Sequence, residues 1–203
     1  MRAGLLYSGG KDSTLSALVL ESFYEVHLVA TTFGVTDAVE AAEAAGEAVG
    51  FPVETVELDE EVAREAVEQM VADGYPREGI QLVHEHALEA VAGRDRLAGR
   101  DVTAVADGTR RDDRVPAVDR AVAQSLEDRY EIDYVRPLAG YGRRAVDELV
   151  DRRLRVETGP SERLPTADYE TELRALIARE HGPESVSEIF PAHTQSRVVG
   201  RRE

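Results

Sequence analysis

The segment Ser8–Ser13, with the sequence SGGKDS, is the feature that most constrains what this chain can fold into. It follows a short apolar segment, Ala3 to Tyr7, and precedes the segment TLSALVL, and this order predicts a strand, a tight loop and the start of a helix. The first N–H groups of a helix have no partners within the helix, and the helix dipole places partial positive charge there. Two glycines let the backbone approach a ligand closely, and Lys11 adds a full charge. The glycine loop, as we name Ser8–Ser13, therefore predicts a binding site for a phosphate chain.

Lysine usage supports this interpretation. Lysine and arginine together number 24, and Lys11 is the only lysine among them. One explanation is chance placement in an arginine-rich sequence. We favour a requirement for a compact, mobile ammonium group at this position, because an arginine side chain does not provide one.

Apolar segments of strand length recur along the first two thirds of the chain. Besides the first strand they cover residues 26–33, 53–58, 102–106 and 132–135. Helical periodicity predicts helices over residues 60–72, 78–98 and 143–154. It also predicts one helix that ends near Val49 and one that begins at Pro116. This alternation predicts an α/β fold, a doubly wound five-stranded parallel sheet with helices on both faces.

A second polar stretch follows the fourth predicted strand. Residues 107–114, with the sequence DGTRRDDR, begin where the apolar segment ends. Ligands of doubly wound sheets bind beyond the carboxyl ends of the strands, near the point where the strand order reverses. We therefore expect this stretch and the glycine loop to flank one ligand site.

The sequence SGGKDS resembles the PP-loop of the N-type ATP pyrophosphatases. It is neither a Walker loop nor a dinucleotide fingerprint, since the spacings of both motifs are absent. Gly108 and Thr109 resemble a glycine–threonine stretch that several PP-loop enzymes place beside the nucleotide. With the later sequences DYETELR and SRVVGRR, the chain looks most like stand-alone archaeal PP-loop proteins of unassigned reaction, described as asparagine-synthase-like or adenine-nucleotide alpha-hydrolase-like.

The resemblance implies ATP and Mg²⁺ as ligands and suggests roles for particular residues. The implied ATP-binding residues are Ser8, Gly9, Gly10, Lys11, Asp12, Ser13, Gly108 and Thr109. The implied catalytic residues are Lys11, Asp12, Arg110 and Arg111. Asp12 is the first candidate ligand for Mg²⁺, followed by Asp107, Asp112 or Asp113. For Arg110, Arg111 and Arg114 the alternative is surface pairing with neighbouring acidic residues.

The resemblance also implies a reaction. A substrate oxygen attacks the α-phosphate of ATP, pyrophosphate leaves, and ammonia or an amine then attacks the adenylated substrate. This implies an adenylating ligase or transferase, with tRNA as one candidate substrate and a separate protein as one source of ammonia or sulfur. The alternative is a non-catalytic adenine-nucleotide-binding module, as in universal-stress-like and electron-transfer-flavoprotein-like folds. The sequence leaves open whether the protein forms a homodimer.

Beyond Glu157 the sequence is rich in turn residues, and a helix is predicted from Thr166 or Asp168 onward. We predict an ATP-binding domain over residues 1–154 and a small helical appendage with a basic tail over residues 155–203. The tail could pair with the acidic body as a solvated segment, contact RNA or close over the nucleotide.

Composition limits the function classes. The formal net charge of −16 opposes binding to nucleic acid, but an acidic chain with one lysine also resembles proteins of salt-loving organisms, whose surface charge serves solubility. The absence of cysteine excludes disulfides, thiolate metal sites and a cysteine nucleophile. No apolar segment approaches the length of a membrane span, and we expect a cytoplasmic protein.

Three further positions carry weaker predictions. Asp37 is more simply a helix N-cap than a nucleotide contact. His84 and His86 do not share a helix face, so no zinc site is predicted there. Tyr141 and Tyr169 could stack on a base, although packing is the simpler expectation.

Overall fold

The computed structural model describes residues 1–113, 117–161, 163–164 and 166–202. In chain order its strands are β1 (Arg2–Leu6), β2 (Glu25–Thr32), β3 (Val53–Glu57), β4 (Arg96–Leu97), β5 (Arg100–Asp101), β6 (Ala104–Ala106), β7 (Asp133–Val135), β8 (Leu154–Pro160) and β9 (Thr194–Arg201). Its helices are α1 (Lys11–Leu20), α2 (Val39–Val49), α3 (Glu60–Asp73), α4 (Arg77–Ala92), α5 (Arg120–Tyr130), α6 (Arg143–Arg153), α7 (Tyr169–His181) and α8 (Pro183–Ile189).

The centre of the molecule is a five-stranded parallel sheet with the order β3-β2-β1-β6-β7. β1 is buried along its whole length, because helices cover both faces of the sheet. Leu5 and Leu6 point to opposite faces and belong to separate apolar clusters. Helices α3, α4 and α7 contribute to the cluster of Leu6, whereas α1 and α2 contribute to that of Leu5. The predicted doubly wound α/β fold is therefore confirmed.

Helix α4 ends six residues earlier than the predicted helix 78–98. Gly93 is its C-cap, and a short antiparallel hairpin of β4 and β5 follows. Ala98 and Gly99 form the hairpin turn with positive φ values of 47° and 75°, as two-residue hairpin turns require. Leu97 of β4 is fully buried, so the hairpin and not a continued helix places this side chain in the core.

Two predicted helix starts differ from the structure. Helix α2 begins at Val39 after Ala38, whose side chain cannot cap it, so Asp37 is not the N-cap. Helix α5 begins at Arg120, where Asp119 caps it by accepting a hydrogen bond of 2.9 Å from the N–H of Val122. Pro116, which was predicted to open this helix, lies outside the described residues.

The C-terminal part contains α7, which corresponds to the predicted helix, and also the short helix α8 and a β-hairpin that were not predicted. β8 and β9 pair antiparallel from Leu154 with Arg201 to Pro160 with Thr194. The segment expected to be a tail is therefore strand β9, and its Val198 is buried. Within the described ranges, none of the helices combines the length and apolarity that crossing a membrane requires.

Candidate functional site

The glycine loop connects the carboxyl end of β1 to the start of α1, as the sequence predicts. Gly9 has a φ of 78°, in the left-handed region that favours glycine, and a Cβ there would lie 3.3 Å from the carbonyl oxygen of Ala41. Gly10 is the N-cap of α1 and has no side chain to cap it. The positive end of α1 is therefore not neutralised by its own N-cap residue, and such helix starts bind anions.

Hydroxyl groups hold the glycine loop in shape. Ser8 Oγ accepts a hydrogen bond from the Gly10 N–H at 3.3 Å and lies 3.3 Å from Ser13 Oγ. Thr14 Oγ1 donates to the Gly10 carbonyl at 2.8 Å and lies 3.0 Å from the hydroxyl oxygen of Tyr7. Burial raises the pKa of Tyr7 to about 12, so this hydroxyl stays protonated at neutral pH.

The second loop, residues 107–113, contacts the glycine loop because β1 and β6 are neighbouring parallel strands. A Cβ on Gly108 would lie 2.9 Å from the Cα and 3.0 Å from the backbone nitrogen of Ser13. The two loops can approach this closely because Gly108 has no side chain. Thr109 and Arg110 follow and line the same cleft as the glycine loop. The second loop and the glycine loop therefore lie side by side, as the sequence predicts.

Asp107 is buried in a hydrogen-bond network at the end of β6. Its Oδ1 accepts from the Thr109 N–H at 2.7 Å and from Thr109 Oγ1 at 2.5 Å, and its Oδ2 accepts from the Tyr134 hydroxyl and from His84 Nε2 at 3.3 Å. Burial opposes the charged form, but the hydrogen bonds and the proximity of His84 lower the pKa of Asp107 to about 2. The hydroxyl of Tyr169 lies 3.4 Å from His84 Nδ1 and extends the network to the cleft. Both carboxylate oxygens of Asp107 thus accept hydrogen bonds from other residues of the chain.

Cations and carboxylates alternate across the floor of the cleft. Lys11 contacts Asp147 of α6, and its Nζ lies 3.6 Å from Asp12 Oδ1. Asp12 Oδ2 lies 3.3 Å from Arg110 Nε, and Arg110 donates to Asp113 Oδ1 at 3.0 Å and 2.5 Å. Burial raises the pKa of Asp12, and the charges of Lys11 and Arg110 oppose that shift. An incoming phosphate would compete with these carboxylates for the same cations.

Arg111 and Asp112 hold the start of α6 and do not line the cleft. The two carboxylate oxygens of Asp112 accept from the Arg143 N–H at 3.1 Å and 3.0 Å, and this hydrogen bond lowers the pKa of Asp112. The Arg111 N–H donates to the Tyr141 carbonyl at 3.1 Å. A catalytic role for Arg111 and a metal-binding role for Asp112 stay predictions. Arg114 lies outside the described residues.

The cleft above the two loops has a volume of about 980 Å³, within the range of small-molecule sites. Several polar residues that line it were not among the predicted site residues. They are Arg143, Asp147 and Asp151 of α6, Asp168 and Glu170 around the start of α7, and Gln195 and Ser196 of β9. Helical and strand periodicity did not identify these residues as part of a site, because they come together only through the packing of distant segments.

Strand β9 is attached to the glycine loop. The Val198 N–H donates to the Gly9 carbonyl at 2.9 Å, and the Lys11 N–H donates to Ser196 Oγ at 3.3 Å. Arg197 and Arg201 in the basic segment at residues 193–202 pair with Glu157 and Glu21. Residues 193–196, at the start of the segment, line the cleft, and most of the segment belongs to strand β9 and is not a solvated tail. The only sequence signal for this was the resemblance of SRVVGRR to other stand-alone proteins, which gave no position in the fold.

Glu172 of α7 is a buried carboxylate that the sequence analysis did not identify. It accepts hydrogen bonds from the Phe33 N–H at 2.9 Å, the Val35 N–H at 3.0 Å and Thr32 Oγ1 at 2.9 Å. These groups belong to the end of β2 and the loop that follows it. Glu172 thereby fixes α7 over the carboxyl end of the sheet and positions Asp168 and Glu170 at the cleft.

Acidic residues outnumber cations in the cleft. The acidic side chains are Asp12, Asp113, Asp147, Asp151, Asp168 and Glu170, and the lysine and arginine side chains are Lys11, Arg110 and Arg143. Across residues 1–113, 117–161, 163–164 and 166–202, no three histidine, aspartate or glutamate side chains are grouped to hold a metal by themselves. Asp12 Oδ1 is buried and has no hydrogen-bond partner among these residues, so it is an available oxygen ligand.

Two comparisons with known proteins cover nearly the whole chain. The protein MJ0690 of Methanocaldococcus jannaschii is 38% identical over 201 residues, which is 98% of this chain and 96% of that protein. A crystal structure described as a predicted subunit of tRNA methyltransferase, also from Methanocaldococcus jannaschii, superposes with a TM-score of 0.87 at 37% identity. That match covers 100% of this chain and 98% of the other.

A more distant structure is the U34-tRNA thiolase NcsA from Methanococcus maripaludis. It matches with a TM-score of 0.48 at 18% identity, over 93% of this chain and 69% of that one. The sequence profile of the family of unknown function DUF7411 matches residues 1–200. The chain therefore belongs to the DUF7411 family.

Proposed function

We propose that this protein binds ATP with Mg²⁺ as a PP-loop enzyme and adenylates a substrate with release of pyrophosphate. The observation that carries the proposal is the geometry of the glycine loop. The start of α1, whose N-cap residue Gly10 has no side chain, and Lys11 lie at the floor of a cleft of about 980 Å³ that Thr109 and Arg110 also line. This geometry suits a phosphate chain at one end and leaves room for the rest of a nucleotide.

The phosphate end of the ligand is held by the chain in three ways. The backbone N–H groups at the start of α1 donate to phosphate oxygens. The hydroxyls of Ser8 and Ser13, which lie 3.3 Å apart, add donors on the same side. Lys11 supplies its ammonium group after exchanging the carboxylate of Asp147 for phosphate oxygens.

Mg²⁺ fits the donor groups around Asp12. This ion is commonly held by one or two carboxylates together with substrate phosphates and water. Asp12 Oδ1 is a buried carboxylate oxygen without a hydrogen-bond partner among the described residues, at the start of α1. The excess of carboxylates in the cleft also favours a ligand that arrives with a divalent cation. Asp107, by contrast, already accepts hydrogen bonds on both oxygens.

The bound nucleotide supplies an α-phosphate that a substrate oxygen attacks, with pyrophosphate as the leaving group. Lys11 and Arg110 stabilise the negative charge that develops on the leaving side. The protein itself needs no nucleophile, because positioning and charge stabilisation lower the barrier. Ammonia or an amine from a second substrate then attacks the adenylated carbon, and AMP leaves with the former substrate oxygen.

We further propose that the acceptor is a tRNA. The support is the description of the 37% identical structure as a predicted subunit of tRNA methyltransferase, a solved protein that covers this chain entirely. The formal charge of −16 opposes an RNA partner at low salt, so binding would depend strongly on local cations.

The test is to incubate the protein with ATP and Mg²⁺, with and without total tRNA and ammonium, and to separate the nucleotide products. We expect AMP and pyrophosphate in the presence of tRNA. Lys11→Ala should lower the rate about a hundredfold or more, because it removes a charge aimed at the phosphates. Lys11→Arg should also lower the rate, but less than Lys11→Ala, since it keeps the charge and loses the compact ammonium group.

ADP and phosphate as products would contradict the proposed mechanism. Tight ATP binding that depends on Lys11, without turnover under any of these conditions, would favour the non-catalytic nucleotide-binding module.

A further inference from the structure

A smaller pocket of about 270 Å³ opens beside the cleft, between the start of α4, the start of α7 and the segment that joins α8 to β9. Ile80, Tyr169, Glu170 and His193 line both cavities, so the side pocket, as we name it, is continuous with the cleft. The cleft alone already lies near the upper end of the roughly 300–1,000 Å³ that small-molecule ligands occupy. A nucleotide in the cleft therefore leaves the side pocket for another group.

Aromatic and proline residues make up half of the ten residues that line the side pocket. They are Tyr75, Pro76, Tyr169, Phe190 and Pro191. Tyr75 is 52% exposed and lies at the mouth of the pocket, where its ring is accessible to a ligand. Phe190 is held in place because the guanidinium of Arg174 stacks 4.6 Å from its ring centre. Flat, rigid walls of this kind favour a planar ligand over an aliphatic chain.

One edge of the side pocket is polar. Glu170 accepts a hydrogen bond from Arg174 Nε at 2.6 Å, and its Oε2 lies 3.6 Å from His193 Nε2. Arg174 thus fixes Glu170 while it supports the ring of Phe190. A carboxylate and an imidazole at the edge of an aromatic pocket match the hydrogen-bonding edge of a nucleobase, which presents donors and acceptors in its plane.

We propose that the side pocket binds the nucleobase of the acceptor substrate and places it beside the nucleotide in the cleft. The proposal rests on the proposed function, because it assigns the acceptor of that reaction. Tyr75 stacks on the base at the mouth of the pocket, and Glu170 and His193 hold its polar edge. Tyr169 lines both the side pocket and the cleft, so it lies between the bound base and the nucleotide.

The experiment measures binding of adenosine, cytidine, guanosine, uridine and total tRNA to the full chain. Saturation-transfer NMR serves for the nucleosides and filter binding for tRNA. Saturating α,β-methylene-ATP and Mg²⁺ keep the cleft filled. We expect Tyr75→Ala to weaken binding of at least one of these probes about tenfold, the scale of one lost stacking contact, and Tyr75→Phe to retain it. Phe23→Ala is the matched control, because Phe23 is 69% exposed and lines neither cavity.

Each outcome separates the two proposals. If α,β-methylene-ATP does not bind the unaltered protein, the proposed function is wrong, and the acceptor site that rests on it is wrong as well. If it binds but no nucleoside or tRNA shows Tyr75-dependent binding, the nucleobase site is wrong and the proposed function stands. If Tyr75→Ala weakens binding of α,β-methylene-ATP itself, the side pocket holds the adenine of ATP, and the acceptor assignment is overturned.

Discussion

The ammonium group of Lys11 on the glycine loop contacts the carboxylate of Asp147 on α6. The two side chains are 20% and 48% exposed, and ion pairs with this much solvent contact contribute about 0–1 kcal/mol. In the proposed mode of binding, the phosphates of ATP displace Asp147, so we expect Asp147→Asn to tighten binding of ATP with Mg²⁺ by up to about fivefold. Calorimetric titration measures the change. Glu148→Gln on the same helix, which loses only its pair with Arg152, should have no effect.

Gly108 keeps the second loop in contact with the glycine loop. A Cβ there would lie 2.9 Å from the Cα of Ser13, and backbone atoms cannot move aside as a flexible side chain can. We expect Gly108→Ala to destabilise the fold by about 1–3 kcal/mol and to weaken ATP binding. Gly140→Ala is the control, because a Cβ there meets nothing within 4 Å. Equal urea midpoints for the two variants would contradict the close contact.

Glu172 stabilises the loop after β2 through its hydrogen bonds to Phe33 and Val35. We expect Glu172→Ala to lower the free energy of unfolding by about 3 kcal/mol or more, since it leaves buried N–H groups without partners. Glu172→Gln should cost less, because the amide oxygen still accepts. Urea unfolding followed by circular dichroism measures both. Glu180→Ala, on the exposed end of the same helix, should change stability by less than about 0.5 kcal/mol.

Asp107 should make stability depend on pH in the acid range. Its pKa falls from 3.8 to about 2 on folding, so its contribution of about 2 kcal/mol is complete above roughly pH 4 and is lost as the pH falls through 2. Tyr134→Phe removes one donor to this carboxylate and should move the loss of stability to higher pH. Urea midpoints measured between pH 5 and 2 check this. An unchanged acid profile in Asp107→Asn would show that other groups control it.

The central sheet was predictable because its signals are local. Each strand is a short apolar segment between turn residues, and Gly9 and Gly10 mark the loop after β1. The placement of the second loop near the glycine loop was also predictable, since ligands of doubly wound sheets bind at the carboxyl ends of the strands. The contact of Gly108 with Ser13 was not predicted.

The remaining walls of the cleft were not predictable, because they depend on contacts between distant segments. Asp147 looks like one acidic residue among many on an exposed helix. Ser196 lies in a basic segment that forms a strand by pairing with β8. β8 follows α6 directly, and no turn residues in the sequence marked where the helix ends and the strand begins. Tyr75 and Phe190 approach the same pocket from positions more than a hundred residues apart. Periodicity describes which face a residue occupies, and it carries no information on which other element packs there.

The hydrogen bond from Lys11 to Ser196 joins residues that are 185 positions apart in the chain. At roughly 5–20 residues per second, a ribosome needs on the order of ten seconds or more to make the intervening segment. The glycine loop therefore emerges long before the strand that completes its site. The cleft is thus complete only after β9 has been synthesised and has paired with β8.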